Sequence, residues 1–540
     1  MKKRIKLLSL VLTLILAMAL FVGCGSKDDE PTGSDKATPT KAADTAKDSK
    51  DSAKDAETAT PTPLPPLKLT VMLPYGTNEH DGEELTQRFY KDIETYTNTE
   101  LEFIFYNADM YYEKLALTLA SGDVPSILVT GKTAEFVNAV ENDAFWDISD
   151  YVYDYQNLGQ LPETVFQNAS INGRLYGMPR SRDLGRNGFG YRLDWLNNLG
   201  LKEPETIEEL YDMLVGFTYD DPDGNGKDDT IGLGVTSYAG TWDIMQVWFG
   251  APNGWGIDEN GDLVPAHLTK GYDDALAWFR KIYSEGLVNQ DFNTVAGGDW
   301  DAVLLRNSYA GATADVVDRF RRNQEYFENE GIPAETMIIG AVDAGHGLRT
   351  FPTAGYADLL AISKQKITNE EDMKRALQFL DDMMDAEMQN LVTFGYENES
   401  FYLDENGYAV HMTNEEKEAV GFPTYNFKDG MNQLLPYYQH PDETAKTLTT
   451  APPTSEIRLM EAAVKIENAK YAVPNYGASY TSETYNELKT SLDDIVNNAR
   501  IQYIMGEIDD VGLQEAKDQW LRAGGQTVID EMNELFHANN

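Results

Sequence analysis

Leu67-Lys68-Leu69-Thr70-Val71-Met72-Leu73 alternates polar with apolar at its start and is wholly apolar at its end. Two more runs of the same kind follow, Leu101-Glu102-Phe103-Ile104-Phe105-Tyr106 and Ser126-Ile127-Leu128-Val129. All three read as strands. The stretches between them, Glu83–Tyr96 and Tyr111–Ala120, read as helices. Strands alternating with helices indicate parallel βαβ units, since a parallel pair needs a long crossover. The chain is therefore expected to be an α/β protein. The signature recurs downstream, where Ala357-Asp358-Leu359-Leu360-Ala361-Ile362-Ser363 reads as a strand and Asn369–Asp385 as a helix. Asp258-Glu259-Asn260-Gly261 and Asp404-Glu405-Asn406-Gly407 read as hairpin turns. Glu483–Met505 and Leu513–Phe536 read as helices.

Residues 67–540 are too many for one simple core and suit two lobes. The formal charge is −45. Such an acidic body argues against nucleic acid as a partner, because phosphate contacts dominate that affinity. It argues equally against lying on an anionic membrane surface.

The first residues read as an export signal. Met1-Lys2-Lys3-Arg4-Ile5-Lys6 is basic, Leu7–Val22 is almost wholly apolar, and Gly23-Cys24-Gly25-Ser26 follows. Cys24 is the sole cysteine. A lone cysteine directly after a signal core and Gly23 resembles a lipobox, which implies a lipoprotein signal peptide over 1–23 and a lipid on Cys24. An uncleaved signal anchor would tether the chain as well. Residues 24–66 then form a tether, whose part from 25 on is rich in Gly, Ser, Thr, Ala, Lys, Asp, Glu and Pro and is expected to be disordered. Its reach would be roughly 35–40 Å root-mean-square.

The most chemically specific stretch is Asp221-Pro222-Asp223-Gly224-Asn225-Gly226-Lys227-Asp228-Asp229-Thr230-Ile231-Gly232. Asp221, Asp223, Asn225 and Asp229 fall at positions 1, 3, 5 and 9 of an EF-hand-type calcium loop, and Gly226 stands where the loop turns sharply. Lys227 would offer its carbonyl at position 7. Position 12 is Gly232 and not Glu, so Asp229 or Thr230 would have to close the site. A surface turn that binds nothing is the alternative.

The flanks of this loop carry a family resemblance. Tyr191-Arg192-Leu193-Asp194-Trp195-Leu196-Asn197-Asn198-Leu199-Gly200-Leu201 precedes Pro204-Glu205-Thr206-Ile207-Glu208-Glu209-Leu210. Thr206 and Glu209 form a capping box that opens a helix, with Ile207, Leu210, Leu214 and Phe217 on one face. Together with Ala120-Ser121-Gly122-Asp123-Val124-Pro125, Gly173-Arg174-Leu175-Tyr176-Gly177-Met178-Pro179 and Tyr283-Ser284-Glu285-Gly286-Leu287-Val288-Asn289-Gln290-Asp291-Phe292, this order resembles the family 1, LplA-like extracellular solute-binding lipoproteins of bacterial sugar ABC transporters.

The resemblance implies a two-lobed, periplasmic-binding-protein-like fold of class II with its ligand cleft between the lobes. The first lobe would span about 67–178 plus 357–395 and the second about 180–355 plus 396–540. The crossings would lie near Gly177–Arg180 and Tyr356–Ala361. It further implies a monomer that captures an oligosaccharide for ABC permease subunits. In relatives such as the alginate-binding proteins, the matching loop holds a structural calcium.

No HExxH, GxSxG, P-loop or post-strand GxGxxG occurs in the sequence. An enzyme is not expected, although a carbohydrate-active hydrolase needs only two well-placed carboxylates among many. Within binding proteins, a peptide is the alternative ligand. Sugar sites need flat apolar faces and planar polar groups in a concave setting. Trp242 lies in a Gly-flanked stretch read as a loop, and is favoured over its neighbours Trp248 and Trp255. Tyr75 follows the first strand, where α/β sheets place ligands. Tyr356 precedes the return strand. Arg180, Arg182 and Arg186 follow Pro179, and guanidinium forks match carboxylates and paired hydroxyls. Trp195 reads as core.

Overall fold

The computed structural model describes residues 64–453 and 455–539. The expected signal peptide, Cys24 and the expected tether up to residue 63 lie outside the described residues. Residues 64–66 are exposed, and the Leu64 carbonyl accepts from Asn98 Nδ2 at 3.2 Å.

The strands are, in chain order, β1 (Leu67–Pro74), β2 (Thr99–Tyr106), β3 (Ile127–Thr130), β4 (Met178–Ser181), β5 (Asn187–Arg192), β6 (Ile231–Leu233), β7 (Trp255–Ile257), β8 (Leu263–Pro265), β9 (Ala310–Val316), β10 (Thr336–Ile339), β11 (Tyr356–Ile362), β12 (Phe401–Leu403) and β13 (Ala409–His411). Two sheets hold the architecture, one ordered β2-β1-β3-β11-β4 and one ordered β10-β5-β9-β6. In the first, β1 runs parallel to β2 and β3, as the alternation indicates. The return strand β11 enters antiparallel between β3 and β4. The acidic turns at Asp258 and Asp404 join the antiparallel pairs β7-β8 and β12-β13.

Each sheet has its own core. Around the first gather Val71, Phe89, Tyr111, Ile127, Phe136 and Leu360. Around the second gather Phe189, Trp195, Leu210, Phe217, Trp248 and Phe279. The helix Glu84–Thr97 shows how local pattern becomes packing. It buries Leu85, Phe89 and Ile93 along one stripe and ends at Asn98 in the left-handed region, φ 51°. Each such side chain contributes about 1.5–3 kcal/mol. The helix Ile207–Tyr219 carries the expected capping box, with the Thr206 and Glu209 side chains each accepting from the other residue's backbone N–H.

Three findings differ from the sequence reading. Phe422, Phe427, Met431, Leu434 and Tyr438 pack in the first core, although 396–540 was expected in the second lobe. The expected helix 513–536 is two helices, Asp510–Trp520 and Gln526–Asn539, joined by a π-turn at Leu521–Gly525. The cause is Gly524, whose φ of 129° no helix continues. Finally, the segment after Ala239 is the helix Gly240–Gln246 rather than a loop.

From strand to strand the chain crosses between the sheets at 182–186 and 340–355, and after Tyr438 in the first core it passes once more to the helix that begins at Glu456 beside the second sheet. The first two segments bind one another: Arg182 N–H donates to the Gly355 carbonyl and Thr353 N–H to the Leu184 carbonyl, both at 2.9 Å. The helix Glu456–Lys470 presses on the first crossing so closely that a Cβ on Gly185 would stand 2.1 Å from the Lys465 carbonyl oxygen. Asn468, buried in that helix, donates to the carbonyls of Gly185 (3.1 Å) and Asn187 (2.7 Å), while its own carbonyl accepts from Thr350 Oγ1 (2.7 Å). The Asn468 side chain thus ties the first crossing and the start of β5 to this helix, and the Asn468 backbone carbonyl ties the second crossing to it.

Candidate functional site

Strand register places one edge of each sheet at the crossings. Leu359 pairs with Thr130 and Met72 with Leu128, so the residues after β1, those after β3 and the start of β11 share an edge. β4 ends there at Ser181, paired with Tyr356. In the second sheet, Gly188 pairs with Asp315 and Ile339 with Phe189, so β5 begins and β9 and β10 end on one edge. β6 runs parallel to β9, so the chain leaving it at Leu233 heads toward that same edge. These two edges, bridged by the crossings, bound the candidate cleft.

On the first edge sits a polar cluster rimmed by tyrosines. Arg180 and Asp358 are both buried, with Arg180 NH1 3.7 Å from Asp358 Oδ2. Arg180 NH2 donates to the Asn432 carbonyl at 3.3 Å, and its Nε has no partner. Burial lowers the guanidinium pKa from its ordinary value, with Asp358 opposing. Tyr112 Oη donates to Asp358 Oδ1 at 2.9 Å, and Tyr437 Oη to the Asn432 carbonyl at 3.1 Å. Tyr75 is 54% exposed, and Tyr112 and Tyr437 are exposed as well. Tyr75 and Tyr437 hold φ of 62° and 63°, a conformation that costs a non-glycine residue and clusters at ligand sites. On the second edge, exposed Tyr238 meets the buried Trp300 edge-on at 6.4 Å, and Arg319 lies 4.7 Å over the same indole. Arg319 is held by Asp315 and, at 2.7 Å, by Asp301.

The structure brings Tyr75, Arg180 and Tyr356 to the first edge. Tyr356 is half-buried, its Oη 3.4 Å from the Asn168 carbonyl. Arg182 is exposed on the crossing. Arg186 is a structural ion pair instead, its fork on the Asp318 carboxylate at 3.0 and 3.1 Å. Trp242 requires correction: it is 2% exposed in the second core, packed on Phe279 at 4.7 Å and Phe292 at 5.6 Å. Its Gly and polar neighbours form a buried helical turn, so it cannot face a ligand. Sequence reasoning missed Tyr112, Asp358, Tyr437 and Tyr238. No periodicity marks them, because their partners lie far away in the chain.

In the loop at Asp221, the carboxylates converge on Asn225. Asp223 Oδ2 and Asp229 Oδ1 accept from Asn225 Nδ2 at 2.8 and 3.0 Å, and Asp221 accepts from the N–H of Asn225 and Gly226 at 3.0 Å each. Gly226 has φ 78°, the turn expected there. Lys227 Nζ lies 3.8 Å from Asp229 Oδ2, leaving its carbonyl as the one candidate ligand it has. Thr230 is a correction. It is buried and its hydroxyl donates to the Phe217 carbonyl at 2.9 Å, so it does not face the loop. The donor set, three carboxylates, an amide and a carbonyl, is the all-oxygen set a hard divalent cation takes. Among the described residues, however, no three His, Cys, Asp or Glu are already gathered as a metal site.

A family model described as bacterial extracellular solute-binding protein matches residues 86–396. Lipoprotein LipO of Bacillus subtilis (strain 168) is 34% identical over 466 residues, covering 83% of this chain and 88% of that one. The polygalacturonan/rhamnogalacturonan-binding protein YtcQ of the same organism is 28% identical over 458 residues, with the same coverage. Among solved structures, an extracellular solute-binding protein of Bifidobacterium longum subsp. infantis superposes with a TM-score of 0.64 at 17% identity, over 87% of this chain and 98% of that one. The alginate-binding protein AlgQ2, solved without calcium ion, gives 0.60 at 18% identity, over 90% and 100%. The fold is thus the two-lobed one of the periplasmic-binding-protein type.

Proposed function

The chain belongs to the bacterial extracellular solute-binding proteins, and from that premise we propose that it captures an oligosaccharide between its lobes and hands it to an ABC transporter permease. One observation carries the reading. Three exposed tyrosines, two in strained backbone, surround a buried, incompletely partnered Arg180–Asp358 pair on the edge where the chain crosses between sheets. Flat rings offer sugar faces a surface, and the guanidinium offers hydroxyls or carboxylates a fork. The lobes are 67–181 with 356–438 and 187–339 with 456–539. The protein acts by binding as a monomer, without chemistry on its ligand. Lipid on Cys24 holds it at the outer face of the membrane, and one structural calcium sits among Asp221, Asp223, Asn225, the Lys227 carbonyl and Asp229. The calcium-binding reading is supported by the oxygen donor set of the loop.

A thermal-shift screen of oligosaccharides, oligogalacturonides included, with peptides as the control arm, tests the ligand class. A sugar that raises the melting temperature and is recovered unchanged is the expected result. Recovery of a shortened sugar would assign a hydrolase, and response to peptides alone would overturn the sugar. For the anchor, incorporation of labelled fatty acid should vanish in Cys24→Ser.

A further inference from the structure

Lys132 lies two residues beyond β3, on the cleft edge of the first sheet, and is not accounted for by ligand binding. Its Nζ donates to the carbonyls of Asn168 at 2.8 Å and Ser170 at 3.0 Å, at the end of the first-lobe helix Glu163–Ala169. A third donation, at 2.5 Å, goes to the carbonyl of Ala478. Ala478 belongs to a segment seated on the second lobe: Tyr476 N–H donates to the Trp255 carbonyl, Trp255 N–H to Asn475 Oδ1, and Asn253 Nδ2 to the Val473 carbonyl. The ammonium's three protons therefore have three acceptors, two on one lobe and one on the other. The neighbouring turn repeats the link. Asn172 N–H donates to the Ser479 carbonyl at 2.6 Å, and Asn172 Oδ1 accepts from Thr481 N–H and Oγ1 at 3.2 and 3.3 Å.

We propose that Lys132, with Asn172, is an inter-lobe latch that holds the lobes in the arrangement described here and is released when they part. This rests on the two-lobe reading and not on the class of ligand. A charge-assisted bond to a neutral carbonyl is among the stronger single hydrogen bonds, and of the three bonds of Lys132 only the one to Ala478 is lost when the lobes separate, together with those of Asn172. All three acceptors are backbone carbonyls, so no side chain of the second lobe need be specified. Burial draws the Lys132 pKa down to about 8, in keeping with an enclosed amine that has no carboxylate beside it.

Lys132→Met keeps the stem and removes the donors. In the ligand-free full chain, we expect a larger scattering radius than wild type and faster deuterium exchange at Asn172, whose amide is bonded across the lobes. Where a sugar ligand is in hand, its affinity should fall about tenfold, since the competent arrangement is less populated. Thr481→Val, which removes one of the neighbouring donors, should move the same readouts the same way by less, and it serves should Lys132→Met fail to fold. Folded variants with wild-type radius and exchange would overturn the latch. Because these two readouts need no sugar, a latch that responds in a protein that binds no sugar would leave the inference standing and the ligand class refuted. Sugar binding that is unaltered in both variants, with unaltered radius, would do the reverse.

Discussion

His267 gives a pH-dependent stability that can be worked through. It lies in the short turn after β8 and packs edge-on to Trp520 with ring centroids 4.3 Å apart. Its Nε2 is buried without a hydrogen-bond partner. Tyr272, Ile495, Val496, Leu513 and Lys517 line the same small cavity. Burial, aided by the charge of Lys517 and opposed by Asp493, pulls its pKa from 6.5 down to about 4. The unfolded chain therefore binds the proton more readily than the folded one, and stability falls as pH drops through the window between 6.5 and 4. From those two values, the loss is about 2 kcal/mol between pH 7 and pH 5 and about 3 kcal/mol by pH 4. His267→Leu fills similar volume and has nothing to titrate. Urea unfolding of both proteins at pH 7, 6, 5 and 4, followed by circular dichroism, isolates the term as a difference, so the many carboxylates common to both cancel. The variant should gain on wild type by the amounts above. A gap between the two that does not change from pH 7 to pH 4 would refute the argument.

Three further outcomes follow from the geometry. Chelator should lower the melting temperature of wild type, since a cation at a hundredfold over its Kd stabilises by about 2.7 kcal/mol, and Asp223→Ala should be insensitive to it; identical melting with and without chelator would leave the loop a turn. Asn468→Ala strips the donors from the carbonyls of Gly185 in the first crossing and Asn187 at the start of β5 and should cost about 2–4 kcal/mol in denaturant unfolding, a cost that would be absent if water replaces the amide. Trp242→Ala should lower stability by about 3–5 kcal/mol through the core cavity while ligand affinity of the folded protein is kept, whereas Tyr112→Ala should weaken binding at little cost in stability; calorimetry that finds the opposite pattern would move the cleft.

The sequence alone determined what depends on neighbours in the chain. The strands β1 to β3, their helices and the return strand were legible within one to three residues, because apolar period and length are local properties. The Thr206–Glu209 box and the Asp258 and Asp404 turns were legible because their hydrogen bonds close within a few residues. Acidic residues at alternate positions likewise marked the Asp221 loop. Tertiary structure decided the rest. Trp242 read as a ligand platform because glycine flanks it, yet Phe279 and Phe292, well downstream, bury it. Arg186 read as a cleft residue until Asp318, on the helix after β9, claimed its fork. The Arg180–Asp358–Tyr112–Asn432–Tyr437 cluster spans more than three hundred positions, and only the pairing of β11 with β3 and β4 assembles it. Lys132 and Asn468 carried no motif, since each acts by donating to backbone carbonyls, and any residue can supply a carbonyl.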